Sequence, residues 1–306
     1  MGLIYGLAHA VARPYTNAVT IMTSNQVHFG DNLAVLRAMS DASVDLVYID
    51  PPFNTGKAQR KTRTKTTPSE TGDRTGFGGR RYSTELGTTT AYLDIFDDYM
   101  GFIEPRLREA YRVLKPTGSF YLHLDYREVH YCKVLMDQIF GRDCFQNEII
   151  WAYDYGGRPK NRWPAKHDNI LYYVKSPTHF TFNREDIDRI PYMAPGLVGP
   201  QKAARGKLPT DTWWQTIVPP GGRESTGYAT QKPLPILRRI ITASSNRGDL
   251  VLDVFAGSGT TGAAARELGR RFILVDENPQ AIQVMRARFA DLPDVVFVGE
   301  AQEVAD

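Results

Sequence analysis

The stretch from Asp249 to Asp276, DLVLDVFAGSGTTGAAARELGRRFILVD, constrains the fold of this chain more tightly than any other. An apolar run ends on Asp253 and a turn follows with Gly257 and Gly259. A helical pattern opens near Thr260, and a second apolar run over 271–275 ends on Asp276. In this unit a backbone without side chains approaches a ligand closely, and the acid one strand later grips two ribose hydroxyls. Gly257, Gly259 and Gly262 also satisfy the GxGxxG spacing. A mere tight turn needs neither the helix nor the acid, so the unit reads as a nucleoside-cofactor site.

The same alternation runs through the rest of the chain. GDNLAVLRAM is a short amphipathic helix behind the Gly30-Asp31 turn, and VDLVYI is a buried strand. DDYMGFIEPRLREAYRVL is helical despite Pro105 and stops at Lys115-Pro116 and Gly118. GSFYLHL is a strand, YREVHYCKVLMDQIFG a helix and NEIIWAY a strand. The expected fold is α/β, a mostly parallel twisted sheet with helices on both faces. One domain spans 1–306, and between 180 and 228 the pattern fades into an inserted recognition region rich in Pro, Gly, Trp and Lys. Residues 55–90 read as a mobile loop. Its part from 55 to 81 holds eight Lys and Arg against two acids, which suits contact with nucleic-acid phosphates.

Composition narrows the class. Hydrophobic residues at 42% and charged ones at 23% describe a globular chain rather than a disordered one. No apolar run approaches the roughly 20 residues of a membrane span, and the amino terminus lacks the pattern of a secretion signal. Cys132 and Cys144, the only cysteines, form no metal or disulfide pattern. No metal is expected, and a reducing cytoplasm is.

A second fixture stands at 47–56, VYIDPPFNTG. A buried strand ends on an acid, two prolines with fixed φ and an aromatic ring, which is more rigidity than a chain reversal requires. The cofactor type follows from Asp253. A carboxylate just ahead of the glycines repels a pyrophosphate. S-adenosylmethionine carries no phosphate, and a carboxylate suits its cationic methionine end.

Together DPPF at 50–53, TQKP at 230–233 and FAGSG at 255–259 resemble the signatures of S-adenosylmethionine-dependent DNA amino-methyltransferases. DPPF ahead of the glycine motif is the circularly permuted order of the beta class, so a permuted Rossmann-like fold is implied. The likeness extends from Gly30-Asp31 through Pro279, and NEIIWAYDYGG and HDNILYYVKS are similar to the segment beside the family's target-base pocket. Tyr228-Ala229 departs from the His-Pro pair common before TQKP.

The resemblance implies roles. Asp50 and the Pro51 carbonyl, held by Pro52, accept the two N–H bonds of a base amino group, and Phe53 stacks on the flipped ring. The amine lone pair then turns toward the methyl carbon, and positioning carries most of the catalysis. Phe255, Ala256, Gly257, Gly259 and Thr260 surround the methionine portion, with Asp253 near its ammonium. Asp276 holds the ribose, and Thr230, Gln231 and Lys232 close over the carboxylate. Asp31, or else Glu300 after the similar strand VVFVG, lies near the adenine ring. Trp151 and Tyr153 are candidates for a second stacking wall, although alternate aromatic residues on a strand are more often core. Double-stranded DNA contacts fall to Arg158, Lys160, Arg162 and Lys166 in one stretch and to Lys202, Arg205 and Lys207 in another. His167 beside Asp168 reads as a structural hydrogen-bonding pair.

Asp at position 50 leans toward adenine N6, because cytosine-N4 enzymes of the group often carry Ser there. Cytosine N4 stays open as the alternative. Carbon-5 methylation needs a cysteine nucleophile, usually after proline, but Cys132 follows Tyr131 and Cys144 follows Asp143. A protein-glutamine enzyme would show Asn-Pro-Pro-Tyr after the glycines. An NAD-dependent oxidoreductase and a catalytically inactive DNA-binding protein are the remoter readings. A homodimer, a separately encoded restriction endonuclease and a prokaryotic, nucleoid-associated cytoplasmic location complete the expectations.

Overall fold

The computed structural model describes residues 24–299 except 72, 73, 76–78, 80 and 220, with the backbone alone over 57–68, 74–75, 82 and 84–93. In chain order the elements begin with β1 (Asn25–Phe29), α1 (Asn32–Ala38), β2 (Val44–Ile49), β3 (Lys57–Pro68), β4 (Arg74–Thr75) and β5 (Arg81–Asp94). There follow α2 (Tyr99–Val113), β6 (Leu114–Leu124), α3 (Val129–Phe140), β7 (Phe145–Ala152), β8 (His167–Val174), α4 (Pro200–Arg205) and β9 (Thr212–Trp214). The chain closes with α5 (Leu234–Ser244), β10 (Leu250–Asp253), α6 (Thr260–Glu267), β11 (Arg271–Asp276), α7 (Pro279–Arg288) and β12 (Val295–Val298).

Nine strands form one sheet in the order β12-β1-β11-β10-β2-β6-β8-β7-β9. All pairings from β12 to β6 are parallel, and β8 alone runs against its two neighbours. The expected mostly parallel, Rossmann-like sheet is therefore present. β2 and β10 are buried almost along their whole length, as strands covered on both faces must be. From β2 the chain moves toward β6, whereas from β10 it moves toward β11. The gap between these neighbouring strands is thus the switch point, where a crevice opens beyond the carboxyl ends.

Local sequence accounts for the helices. Asp98 caps α2 by accepting from Gly101 N at 2.8 Å, and its buried Tyr99, Ile103, Leu107 and Ala110 recur at helical spacing. The alternation argument passes over α5, whose Ile236, Leu237, Ile240 and Ile241 are buried at the same period.

Residues 55–90 depart from the expected loop. β3 and β5 pair antiparallel from Lys57 opposite Asp94 to Pro68 opposite Tyr82, making a long ribbon next to the tip of β2. Threonines recur along both strands, and β-branched residues favour a pleated backbone even where aliphatic ones are scarce. In the 180–228 region, an Ile190–Lys207 bridge precedes α4's neighbour β9, which joins the sheet beside β7. No helix among the described residues is long and apolar enough to cross a membrane.

Asp45 on β2 ties three strands together. Its carboxylate takes Lys115 Nζ at 2.7 and 2.8 Å and Leu250 N at 2.9 Å. Replacement Asp45→Ala leaves the Leu250 amide without its acceptor and is expected to cost about 1–3 kcal/mol. A lowered denaturant midpoint with unchanged slope is the outcome to look for.

Candidate active site

The rigid tip after β2 is held from below. Asn54 turns the chain with φ of 54°, and its amide donates to Asp94 Oδ1 at 2.7 Å. Thr55 gives the other oxygen its amide at 3.2 Å and its hydroxyl at 2.6 Å. Asn54 Nδ2 reaches Glu128 at 2.8 Å, and its Oδ1 accepts from Phe96 N at 3.1 Å. Asp94 is buried at the foot of the ribbon, and three donors offset the loss of its hydration. Nothing in the motif itself points to this residue, which stands 40 positions away from Asn54.

Asp50 projects from this tip into the switch-point crevice, a cavity of about 680 Å³. One carboxylate oxygen, Oδ2, is paired with Lys232 Nζ. The other, Oδ1, is buried with no hydrogen-bond partner among the described residues, and His123 Nδ1 stands 3.8 Å away. His123 in turn bonds Tyr48 Oη at 2.8 Å through Nδ1 and Asp168 Oδ2 at 3.2 Å through Nε2. Tyr153 donates to the remaining Asp168 oxygen at 3.1 Å. Burial works to raise the Asp168 pKa, but the His123 hydrogen bond and charge outweigh it and hold the carboxyl below its ordinary value. The pairing of His167 with Asp168 gives way to this arrangement: successive strand residues face opposite ways, and Asp168 faces His123.

Across the crevice the glycine turn follows β10. Gly257 and Gly259 have φ of 50° and 72°, in the region that favours glycine. A Cβ on Gly257 would come within 3.1 Å of the Tyr228 ring, and one on Gly259 within 2.8 Å of Met285 Cγ. Asp253 accepts from Phe255 N at 3.0 Å and Thr261 Oγ1 at 2.6 Å. Asp276 accepts from Gly257 N and Asn278 N, both at 2.8 Å. Burial pushes the Asp253 carboxyl up to about 7 and the Asp276 carboxyl up to about 6.

Most sequence-predicted residues meet in this one cavity. Asp50, Pro51, Pro52 and Phe53 line one side, and Asp253, Phe255, Ala256, Gly257, Thr260 and Asp276 the other, with Thr230 and Lys232 between them. Three of the predicted catalytic and cofactor residues do not line it. Gly259 packs on Met285 and Phe289. Gln231 pins its own loop by accepting from Thr226 N at 2.8 Å and donating to Glu224 O at 2.7 Å. Asp31 caps α1 and pairs with Arg106 at 3.3 Å, and it is the next residue, Asn32, that reaches the cavity. Glu300 lies outside the described residues. Trp151 is core: it is buried, donates to Gln215 O at 2.7 Å and meets His123 edge-on at 5.5 Å. Tyr153 supports Asp168 behind the site.

The basic stretches separate. Arg158, Lys160 and Arg162 are exposed between β7 and β8, beside the exposed Trp163, and Lys166 turns back to Gly156 O at 2.7 Å. Because β7 runs parallel to β6 in the sheet, this loop leaves the same carboxyl edge as Asp50. The stretch with Lys202, Arg205 and Lys207 enters β9 from the opposite end. Arg205 pairs with Glu185 at 2.9 Å, Lys207 N bonds Ile190 O at 2.8 Å, and Asn183 N bonds Ala243 O at 2.7 Å near the end of α5. These contacts place the stretch toward the amino edge, away from the cavity. The side chains of 57–68, with the ribbon's predicted phosphate contacts, lie outside the described residues.

Five carboxylates, those of Asp50, Asp94, Asp253, Asp276 and Glu277, face the cavity against the cations Arg106 and Lys232. Such a site suits a cationic nucleoside ligand and opposes a pyrophosphate. An acid-rich crevice at an α/β switch point, with a glycine turn on one wall and Asp-Pro-Pro-Phe on the other, defines a class of group-transfer enzyme. Residues 44–287 match the N6/N4 methyltransferase family, described as DNA methylase, and the chain belongs to that family. It is 32% identical over 256 residues to the type II methyltransferase M.HpaI of Haemophilus parainfluenzae, covering 84% of this chain and 71% of that one. It is 31% identical over 289 residues to the DNA adenine methyltransferase YhdJ of Escherichia coli, covering 90% and 85%. Two solved structures share the fold. The cytosine-N4-specific PvuII DNA methyltransferase has a TM-score of 0.59 at 17% identity, over 88% of both chains. M1.HpyAVI, in its complex with SAM, has a TM-score of 0.55 at 20% identity, over 86% of this chain and 98% of that one.

Asp94 provides a direct check on how the tip is held. Asp94→Ala removes three accepted hydrogen bonds and is expected to cost about 1–3 kcal/mol of stability. Methyl transfer should fall by about 100-fold below the unfolding temperature, because a misplaced reacting group loses that much. Denaturant titration and single-turnover kinetics on the same preparation separate the two losses.

Proposed function

We propose that this chain methylates the N6 amino group of adenine in double-stranded DNA with S-adenosylmethionine as donor. The observation that carries the reading is Asp50 Oδ1, a buried acceptor without a partner among the described residues, in the same cavity as Phe53 and the glycine turn. A buried unsatisfied carboxylate oxygen is costly and is kept where a ligand completes it. When bound, S-adenosylmethionine supplies an electrophilic methyl group on a sulfonium. Gly257 would admit its methionine portion, Asp253 its ammonium and Asp276 its ribose hydroxyls. The acid-rich wall offsets its positive charge.

Asp50 Oδ1 and the Pro51 carbonyl accept the two amino protons of the base while Phe53 stacks on its ring. Held this way, the nitrogen lone pair is directed out of the ring plane. When the nitrogen takes the methyl group, the methyl–sulfur bond breaks and the donor leaves as a neutral thioether; the nitrogen, now acidic, passes its proton to Asp50. His123, fixed by Tyr48 and Asp168, keeps the carboxylate's surroundings polar but offers Oδ1 no competing bond at 3.8 Å. Adenine is favoured over cytosine N4 by the Asp at position 50 and by the likeness to YhdJ, a DNA adenine methyltransferase. The basic loop at 153–166 and the ribbon would face the duplex, and the cognate segments of DNA lie in the prokaryotic cytoplasm. The type II relatives support a separately encoded endonuclease as a functional partner, and a homodimer extends the same analogy.

The reaction is tested by incubating the protein with S-adenosylmethionine and unmethylated genomic DNA, then quantifying nucleosides by mass spectrometry. N6-methyladenine is expected, and none with Asp50→Ala. N4-methylcytosine would overturn the base assignment and leave the residue roles standing. Cofactor affinity should also depend on pH. Asp276 at about 6 and Asp253 at about 7 lie above the ordinary carboxylate range, so both are protonated at low pH and ionise on the way to pH 8. The ionised forms accept from ribose hydroxyls and ammonium, so binding tightens by about tenfold between pH 5.5 and 8. The unliganded protein should move the other way. Its raised carboxyls bind more protons than the unfolded chain, and its stability falls as pH rises from about 4 to about 7. Calorimetric titration and thermal melts across these ranges report both slopes.

A further inference from the structure

We infer that Lys232 occupies the target-base subsite until the cofactor draws it away, and so couples cofactor binding to base entry. This rests on the reading of Asp50 and Phe53 as the base-binding residues. Lys232 Nζ is hydrogen-bonded to Asp50 Oδ2 and stands 5.1 Å from the centre of the Phe53 ring. An N–H donor bonded to Asp50 beside the Phe53 ring is what a stacked base presents with its amino group. The ammonium imitates that donor and takes its place. The base amino group would use Asp50 Oδ1 and Lys232 uses Oδ2, so what the two contest is the space beside Phe53: a stacked ring centres about 4.5–7 Å from the Phe53 centre, and the ammonium stands there at 5.1 Å.

The pair does not open without a substitute. The side chains of Lys232 and Asp50 are only 12% and 14% exposed, so a separated ammonium would be a buried charge without a partner. Of the other carboxylates of the crevice, Asp253 is engaged with Phe255 N and Thr261, Asp276 with Gly257 N and Asn278 N, and Asp94 with Asn54 and Thr55, while the charge of Glu277 acts on Arg106. The carboxylate of a bound methionine moiety is a new anion in the same cavity, and it can accept the ammonium as Asp50 gives it up. The backbone under Lys232 stays fixed during this exchange. Gln231 bonds Thr226 and Glu224 O, and Glu224 caps the start of α5 by accepting from Leu234 N at 2.7 Å. Only the flexible four-carbon stem has to swing. Cofactor therefore binds first, and the base enters the place that Lys232 vacates.

Calorimetry with S-adenosylhomocysteine, which keeps the carboxylate and lacks the sulfonium, tests the exchange without DNA. Asp50→Asn releases Lys232 beforehand and should bind this probe about tenfold more tightly than the parent. In a Lys232→Met background the same Asp50→Asn change should have no effect, the coupling between the two residues having vanished. Affinity unchanged or weakened in the single variant would overturn the proposal. A second arm uses a duplex with 2-aminopurine at the position that the methylation experiment identifies. The parent should brighten several-fold only with S-adenosylhomocysteine present, and Lys232→Met should brighten without it. A parent that brightens equally without the probe overturns the coupling. A parent that stays dark in both states tells against base flipping, and the calorimetric arm still decides the role of Lys232.

Discussion

The buried carboxylate of Asp94 is the interaction on which the site depends. β2 delivers its last residues to the carboxyl edge of the sheet, but a strand end does not by itself aim a side chain. The direction comes from Asp94, which takes the amides of Asn54 and Thr55 and the Thr55 hydroxyl. It also anchors the foot of the β3–β5 ribbon, since Gly56 N bonds Asp94 O at 3.0 Å. One residue thus joins the rigid Asp-Pro-Pro-Phe tip to the projecting ribbon. Glu128, at the start of α3, holds the far side of Asn54.

A second constraint is electrostatic. Parallel strands end their chains on one edge, and here three of them end at acids, Asp50, Asp253 and Asp276. Burial raises the last two toward neutrality, and each keeps hydrogen bonds to backbone amides that favour the charged form. A core built for stability alone would have no reason to concentrate such groups. Their cost is accepted where a ligand of opposite charge completes them, and the switch point between β2 and β10 is where the fold leaves room for one.

What could be read from the sequence was local. Strand, glycine turn, helix and acid between Asp253 and Asp276 lie within a few dozen residues, and backbone geometry dictates their order. Asp50 to Phe53 is equally compact. What could not be read arises from pairings distant in the chain. His123 meets Asp168 because β6 and β8 run antiparallel, placing the end of one strand beside the start of the other. The sequence suggests His167 for that role because it is adjacent, and the alternation of strand side chains removes it. Asp31 has the right glycine-acid turn, yet helix capping and Arg106 engage its carboxylate while Asn32 reaches the cavity. The ribbon was hidden because its strands carry threonine where a core strand would carry valine or isoleucine. Trp151 kept the bland role that alternate strand aromatics usually have.

The sheet also sorts the surface. Of the three basic stretches, the two that follow the carboxyl ends of β2 and β7 emerge on the edge of Asp50, so the ribbon and the 153–166 loop can reach a duplex docked at that edge. The segment before β9 arrives from the other edge, and its Arg205 already has Glu185. Charge alone made the three basic stretches equivalent, whereas strand direction does not. On the proposed reading, an adenine and a cytosine amino group would present the same two donors to Asp50 and Pro51, so that acceptor pair would not be the whole basis of base choice. On that reading, discrimination would come from the shape around the ring and from how the duplex is held at the carboxyl edge, where the ribbon and the loop leave the sheet.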